Sequence, residues 1–125
     1  MEWSIERELS FARLAVSIKQ LGSDYCIQLQ GGERPHIGTV VLSIPRLSLT
    51  GNGEISVTSS VMNVTGHKDE QICRYLSEQV ARYKNAVVVC TGGFHVDNIT
   101  NQQLEEVLEC MKDIGEEIKL INRIL

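Results

Sequence analysis

No apolar stretch of this chain approaches the roughly 20 residues that a membrane-spanning helix needs. The first residues, Met1-Glu2-Trp3-Ser4-Ile5-Glu6, are acidic where a secretory leader would be basic. No run of lysine or arginine occurs, and the net charge is -4, so the basic stripe of a general nucleic-acid binder is missing. The four cysteines, Cys26, Cys73, Cys90 and Cys110, are widely spaced and none forms a C-x-x-C pair. That excludes a zinc ribbon and reads as buried thiols in a reducing compartment. Neither G-x-x-x-x-G-K-S/T nor G-x-G-x-x-G is present, and no serine occupies a nucleophile elbow. There is no internal repeat and no low-complexity tract. The absences together predict a soluble, cytoplasmic protein with neither nucleic acid nor membrane as partner.

What is present is ordinary in amount and specific in pattern. With 125 residues, 42% hydrophobic and 22% charged, the chain can bury one core, and residues 1–125 read as a single domain. Apolar alternation is clearest from Leu14 to Ile18 and returns at Tyr25, Ile27 and Leu29, with a turn at Leu21-Gly22-Ser23-Asp24 between them: a β-hairpin with one buried face. Residues 1–10 read either as a leading strand or as a loose arm. Thr39 to Ile44 is apolar on both faces, an interior strand that Pro45 is expected to end. After a turn at Thr50-Gly51-Asn52-Gly53, Ile55, Val57, Ser59 and Val61 form a strand with one hydroxyl-rich face.

The period changes at Asp69, the expected N-cap. Ile72, Leu76, Val80 and Tyr83 fall on one helical stripe, with Glu70, Arg74, Glu78 and Arg82 opposite and Asn85 as the stop. Ala86-Val87-Val88-Val89-Cys90 reads as a buried central strand. Thr100 to Gln103 resembles a capping box opening a helix whose stripe is Leu104, Val107, Leu108, Met111, Ile114, Ile118, Ile121 and Leu125, with Gly115 placed to bend or end its first part. The expected fold is α+β: a mainly antiparallel sheet of five or six strands and two helices, in the order β-β-β-β-α-β-α.

Three segments between these elements carry the unusual chemistry. They are Gly31-Gly32-Glu33-Arg34-Pro35-His36-Ile37-Gly38, Thr65-Gly66-His67-Lys68-Asp69, and Gly92-Gly93-Phe94-His95-Val96-Asp97-Asn98, and they hold all three histidines. Three readings of the histidines remain open. They form a divalent-metal tripod of His36, His67 and His95, although none stands at H-x-H or H-x-x-x-H spacing. Each bonds backbone within its own glycine turn. Or they anchor a polar ligand. Gly66-His67-Lys68 precedes a helix, where free N–H groups attract a phosphate and Lys68 or Arg34 would add charge. In an extended segment His95 and Asp97 point the same way, as a carboxylate-oriented imidazole requires. Cys90 ends an apolar strand and reads as an inert core thiol.

In combination and in order, Gly31-Gly32-x-x-Pro35-His36-Ile37-Gly38, Gly66-His67-Lys68-Asp69 and Gly93-x-His95-Val96-Asp97-Asn98-Ile99-Thr100 resemble the small prenylated-flavin chaperones, the LpdD-like domains. These accompany UbiD-type, prenyl-FMN-dependent decarboxylases acting on gallate and related phenolic acids. The resemblance implies a non-enzymatic protein that binds prenylated FMN, with FMN itself as a second candidate ligand, and a fold like that of the proteasome-assembly chaperones. It implies a UbiD-type decarboxylase as partner, with the flavin prenyltransferase as a further candidate, and a homodimer. It carries a cofactor-binding role to Gly31, Gly32, Pro35, His36, Gly38, Gly66, His67, Lys68, His95, Asp97 and Asn98, with Arg34 as a phosphate partner. A small metal-dependent enzyme on His36, His67 and His95, or a structural subunit, are the alternatives.

Overall fold

Alternation at period two builds six strands, and two stretches of helical period cover one face of the sheet they form. The computed structural model describes residues 1–64 and 68–121. In chain order the elements are β1 (Glu2–Glu8), β2 (Arg13–Leu21), β3 (Asp24–Gly32), β4 (Thr39–Leu47), β5 (Ile55–Asn63), α1 (Lys68–Lys84), β6 (Val88–His95) and α2 (Asn101–Leu120). The fold is α+β as expected, with one strand more than the predicted order. That strand is β1, which settles the reading of the first ten residues. Trp3 pairs with Ile18 and Ile5 with Val16, so the apolar side chains of β1 continue the inner face of β2.

The strand order is β1-β2-β3-β6-β4-β5. Every neighbouring pair is antiparallel except β3 and β6, which run parallel. The wholly apolar start of β6 is thereby placed centrally, as its composition requires. Leu14, Val16, Ile18, Ile27, Leu29, Val41 and Cys90 point inward and meet Ile72, Leu76 and Val80 of α1 and Met111, Ile114 and Ile118 of α2. Each such aliphatic side chain contributes about 1.5–3 kcal/mol by leaving water. Between β4, β5 and α1 the interior is polar instead. Ser43 Oγ lies 2.8 Å from both Ser59 Oγ and Ser77 Oγ, and Ser59 donates to Glu78 at 2.7 Å. Small hydroxyls there satisfy one another and let the helix sit close to the sheet.

Several local expectations need correction. Pro45 does not end β4, which continues to Leu47 with Pro45 opposite Val57. Pairing with β6 stops at Ser43, so beyond it β4 has a neighbour on one side only and tolerates a missing N–H. Gly115 does not break α2, which is continuous; it is the point where Gln79 of α1 approaches, 2.2 Å from where a Cβ would stand. Asp69 is not an N-cap, because α1 already includes Lys68. By contrast, Thr100 and Gln103 form the expected capping box, and Asn85 follows α1 in the left-handed region at φ 48°. Leu125 lies outside the described residues.

Candidate functional site

The segment from 33 to 38 leaves the end of β3 and crosses the C-terminal end of β6 to reach β4, because β6 lies between them. Backbone bonds tie this strap at both ends. Glu33 N–H donates to His95 C=O at 2.7 Å, Gly38 N–H donates to Gly92 C=O at 2.8 Å, and Val64 N–H donates to Gly38 C=O at 2.8 Å. Gly31 and Gly32 belong to β3, and Gly92, Gly93, Phe94 and His95 belong to β6. The glycines that open the first and third segments, expected as loops, are therefore strand, extended by the parallel pairing of Leu29 with Gly92 through Gly32 with His95, while residues 33–38 stay outside the strands.

Asp69 fastens the strap to the helical layer. Its side chain is nearly buried; Oδ1 accepts from Phe94 N–H at 2.9 Å and Oδ2 faces His36 Nε2 at 2.8 Å. Two glycines make room. A Cβ on Gly38 would stand 1.9 Å from Asp69 Oδ2, and one on Gly93 would stand 2.5 Å from His36 Nε2. These glycines are explained by close approach within the chain.

His36 Nδ1 lies 3.0 Å from Arg34 C=O. A carbonyl and a carboxylate both only accept, so the ring suits its surroundings with both nitrogens protonated. The Arg34 carbonyl first, and then Asp69, raise the His36 pKa above its ordinary 6.5. With the folded value raised, the latch stabilises the fold fully below 6.5 and is lost as pH rises through the folded value. Urea unfolding between about pH 5.5 and 8.5 is expected to show wild type losing its advantage over His36→Gln toward the alkaline end. The solvent-facing ring limits the effect to less than about 1 kcal/mol. Parallel stability curves would contradict the latch.

The third segment behaves as its spacing predicts. His95 Nε2 lies 2.8 Å from Asp97 Oδ1 and 2.9 Å from Arg34 Nη2. One nitrogen cannot serve both partners: protonated it donates to Asp97, deprotonated it accepts from Arg34. The His95 hydrogen bond, aided by Arg34 at 3.7 Å, lowers the pKa of exposed Asp97. Asn98 turns the chain toward α2 at φ 56°.

The rings of His36 and His95 approach edge to face, 6.3 Å between centroids. Each Nε2 is nevertheless held by its own carboxylate, and the described residues contain no group of three or more His, Cys, Asp or Glu side chains arranged to hold a metal. Gly66 and His67 lie outside the described residues, while Lys68 is the first residue of α1. Cys90 is buried, and its thiol pKa is pushed well up by the neighbouring Cys73 thiol and by burial.

Beneath the strap, on the sheet face opposite the helices, lies a groove of about 360 Å³ lined by Ser17, Gln28, Gln30, Thr91, Pro35 and Ile37, with His36 beside it. Among the described residues, only Pro35 and His36 of the predicted site line it. The four sheet residues were not singled out by the sequence, although glutamines on the outer face of a strand and a threonine within an otherwise apolar one were visible there.

Three comparisons bear on this geometry. The protein LpdD of Lactiplantibacillus plantarum is 28% identical over 103 residues, which cover 81% of this chain and 71% of that protein. A chain from the crystal structure of a chaperone complex for yeast 20S proteasome assembly superposes with a TM-score of 0.53 at 12% identity, covering 92% of this chain and 98% of its own length. That likeness is one of fold, and agrees with the proteasome-assembly-chaperone-like fold expected. Residues 10–123, from the first turn to beyond the described end of α2, match the model of the prenylated flavin chaperone LpdD-like domain. The chain belongs to the prenylated flavin chaperone LpdD-like domain family.

Proposed function

We propose that this protein is a non-catalytic carrier that binds reduced prenylated FMN and assists its delivery to, or maturation in, a UbiD-type decarboxylase. The observation that carries this reading is the family match over residues 10–123, which supports a chaperone role for the chain as a whole. The groove is compatible with it in size and in chemistry. Its volume of about 360 Å³ falls in the range of small-molecule sites, and Pro35 and Ile37 provide apolar surface beside neutral polar groups. Such a donor set fits a ring system better than a metal ion.

In this reading His36, His95, Asp97 and Asn98 shape the rim, and Arg34 and Lys68 are the cations offered to the phosphate, with Gly66 and His67 adjoining Lys68 in sequence. Gly31, Gly32 and Gly38 set the course of the strap that Pro35 stiffens. When bound in the decarboxylase, the prenylated flavin supplies the decarboxylation chemistry. The carrier's task is to hold it away from oxygen and bulk water, which requires no nucleophile or general base. A homodimer in the cytoplasm, meeting the decarboxylase and the flavin prenyltransferase that makes the ligand, completes the proposal.

Protein co-expressed with a flavin prenyltransferase and purified without oxygen is expected to carry flavin absorbance and the mass of prenylated FMN. His36→Ala, which unlatches the strap, is expected to lose most of it. Colourless wild-type protein with no measurable affinity for added prenyl-FMN would sink the proposal.

A further inference from the structure

We infer that the groove seats a planar heteroaromatic ring and that the carboxamides of Gln28 and Gln30 read the ring's neutral donor–acceptor edge. This rests on the flavin-binding reading above and assigns to it residues outside the three histidine segments. The register makes the floor. Ser17, Gln28 and Thr91 lie side by side across β2, β3 and β6, and the next row is Ala15, Gln30 and Gly93. Two glutamines thus rise from the middle strand, flanked on each side by a residue with a short side chain or none. A flat floor of that kind accepts a flat ligand, and Pro35 and Ile37 of the strap stand over it.

The chemistry of the lining narrows the ligand further. Among the described residues that line it, none is ionisable apart from His36, whose nitrogens are engaged by Arg34 and Asp69. A phosphate would find no free cation there, whereas a neutral ring edge would find amides. Neither glutamine carboxamide has a hydrogen-bond partner among the described residues, and the Thr91 hydroxyl, which donates to Thr39 C=O at 2.9 Å, keeps its acceptor capacity. Gln28 and Gln30 are two residues apart on one strand face, so their side chains emerge about 7 Å apart. Each carboxamide presents a donor and an acceptor in one plane. That matches an imide-like edge in which an N–H lies between two carbonyls, as in the pyrimidine part of an isoalloxazine.

The test uses the full chain with riboflavin, N3-methylriboflavin and prenyl-FMN as probes, under anaerobic conditions. Wild type is expected to bind riboflavin roughly 10- to 100-fold more tightly than the N3-methylated form, the range expected for one or two neutral hydrogen bonds. Gln28→Leu/Gln30→Leu is expected to lose that preference and to weaken prenyl-FMN binding by a similar factor, with an unchanged unfolding midpoint. Side-chain amide NMR signals of both glutamines should shift on adding riboflavin to wild type, a readout independent of any variant. If wild type binds prenyl-FMN but neither discriminates against N3-methylation nor shifts those amides, the assignment is overturned while the carrier function stands. If wild type binds none of the three, both fall together.

Discussion

Asp69→Ala is expected to lower the unfolding free energy by about 2–4 kcal/mol, far more than removal of the histidine it holds. The carboxylate is nearly buried and serves two donors: Phe94 N–H at the end of β6 and His36 Nε2 on the strap. Truncation leaves the buried Phe94 N–H without an acceptor and the His36 imidazolium without its counter-charge, and it opens a void beside Gly38. An unmet buried donor costs about 1–3 kcal/mol by itself. Asp69→Asn keeps an acceptor for Phe94 N–H but sets an amide NH2 where Oδ2 accepted from His36, so its cost should fall between those of Asp69→Ala and His36→Ala. His36→Ala removes a ring that faces water and leaves the Phe94 bond intact, which places it below about 1 kcal/mol. Urea unfolding of the three variants gives the order directly. Amide hydrogen exchange at Glu33 and Gly38 should accelerate most in Asp69→Ala, because their bonds to β6 depend on the strap lying down. An Asp69→Ala cost equal to or below that of His36→Ala would refute this account.

The contrast between these two residues shows where the sequence was informative. Alternation and helical period made the α+β class, both helices and the central place of β6 legible, because burial acts on every second or every third-to-fourth residue. The capping box was legible because its two side chains lie three positions apart. His95 and Asp97 were legible as a pair for the same reason of short range. The bond from His36 to Asp69 spans 33 residues and depends on β6 being inserted between β3 and β4, a fact of topology. Reading Asp69 as an N-cap assigned a local role to a residue whose partners are both distant. The groove was hidden for a similar reason. Ser17, Gln28 and Thr91 become neighbours only through register across three strands, and each alone is an unremarkable surface residue. Pro45 and Gly92 misled because a proline and a pair of glycines signal a break only where both sides of a strand are paired or where no close neighbour needs the space.

Gly92→Ala is expected to be among the most damaging single-methyl additions in the chain, costing at least about 3 kcal/mol. Gly92 is in the middle of the parallel β3–β6 pairing at φ 137°, a conformation that L side chains rarely adopt. A Cβ there would stand 1.7 Å from Leu29 C=O, and that oxygen is backbone in the neighbouring strand, unable to swing aside. Relief requires β6 to move away from β3, which opens the buried contacts of Leu29, Cys90 and Phe94 and loosens the Gly38 bond to Gly92 C=O. Gly22→Ala is the control. Gly22 has φ 62° in the β2–β3 turn, but no described residue lies within 4 Å of where its methyl would stand, so only the left-handed conformation is penalised. That penalty is about 1–2 kcal/mol. Thermal unfolding should therefore separate the two variants by several degrees, with Gly92→Ala falling on the order of 10 °C below wild type. Riboflavin binding should be lost in Gly92→Ala and retained in Gly22→Ala, since Gly92 borders the groove and the β2–β3 turn does not. Equal melting points for the two variants would mean that β6 can yield at Gly92, and the strap, the Asp69 latch and the floor beneath it would then lack the rigid edge on which all three are built.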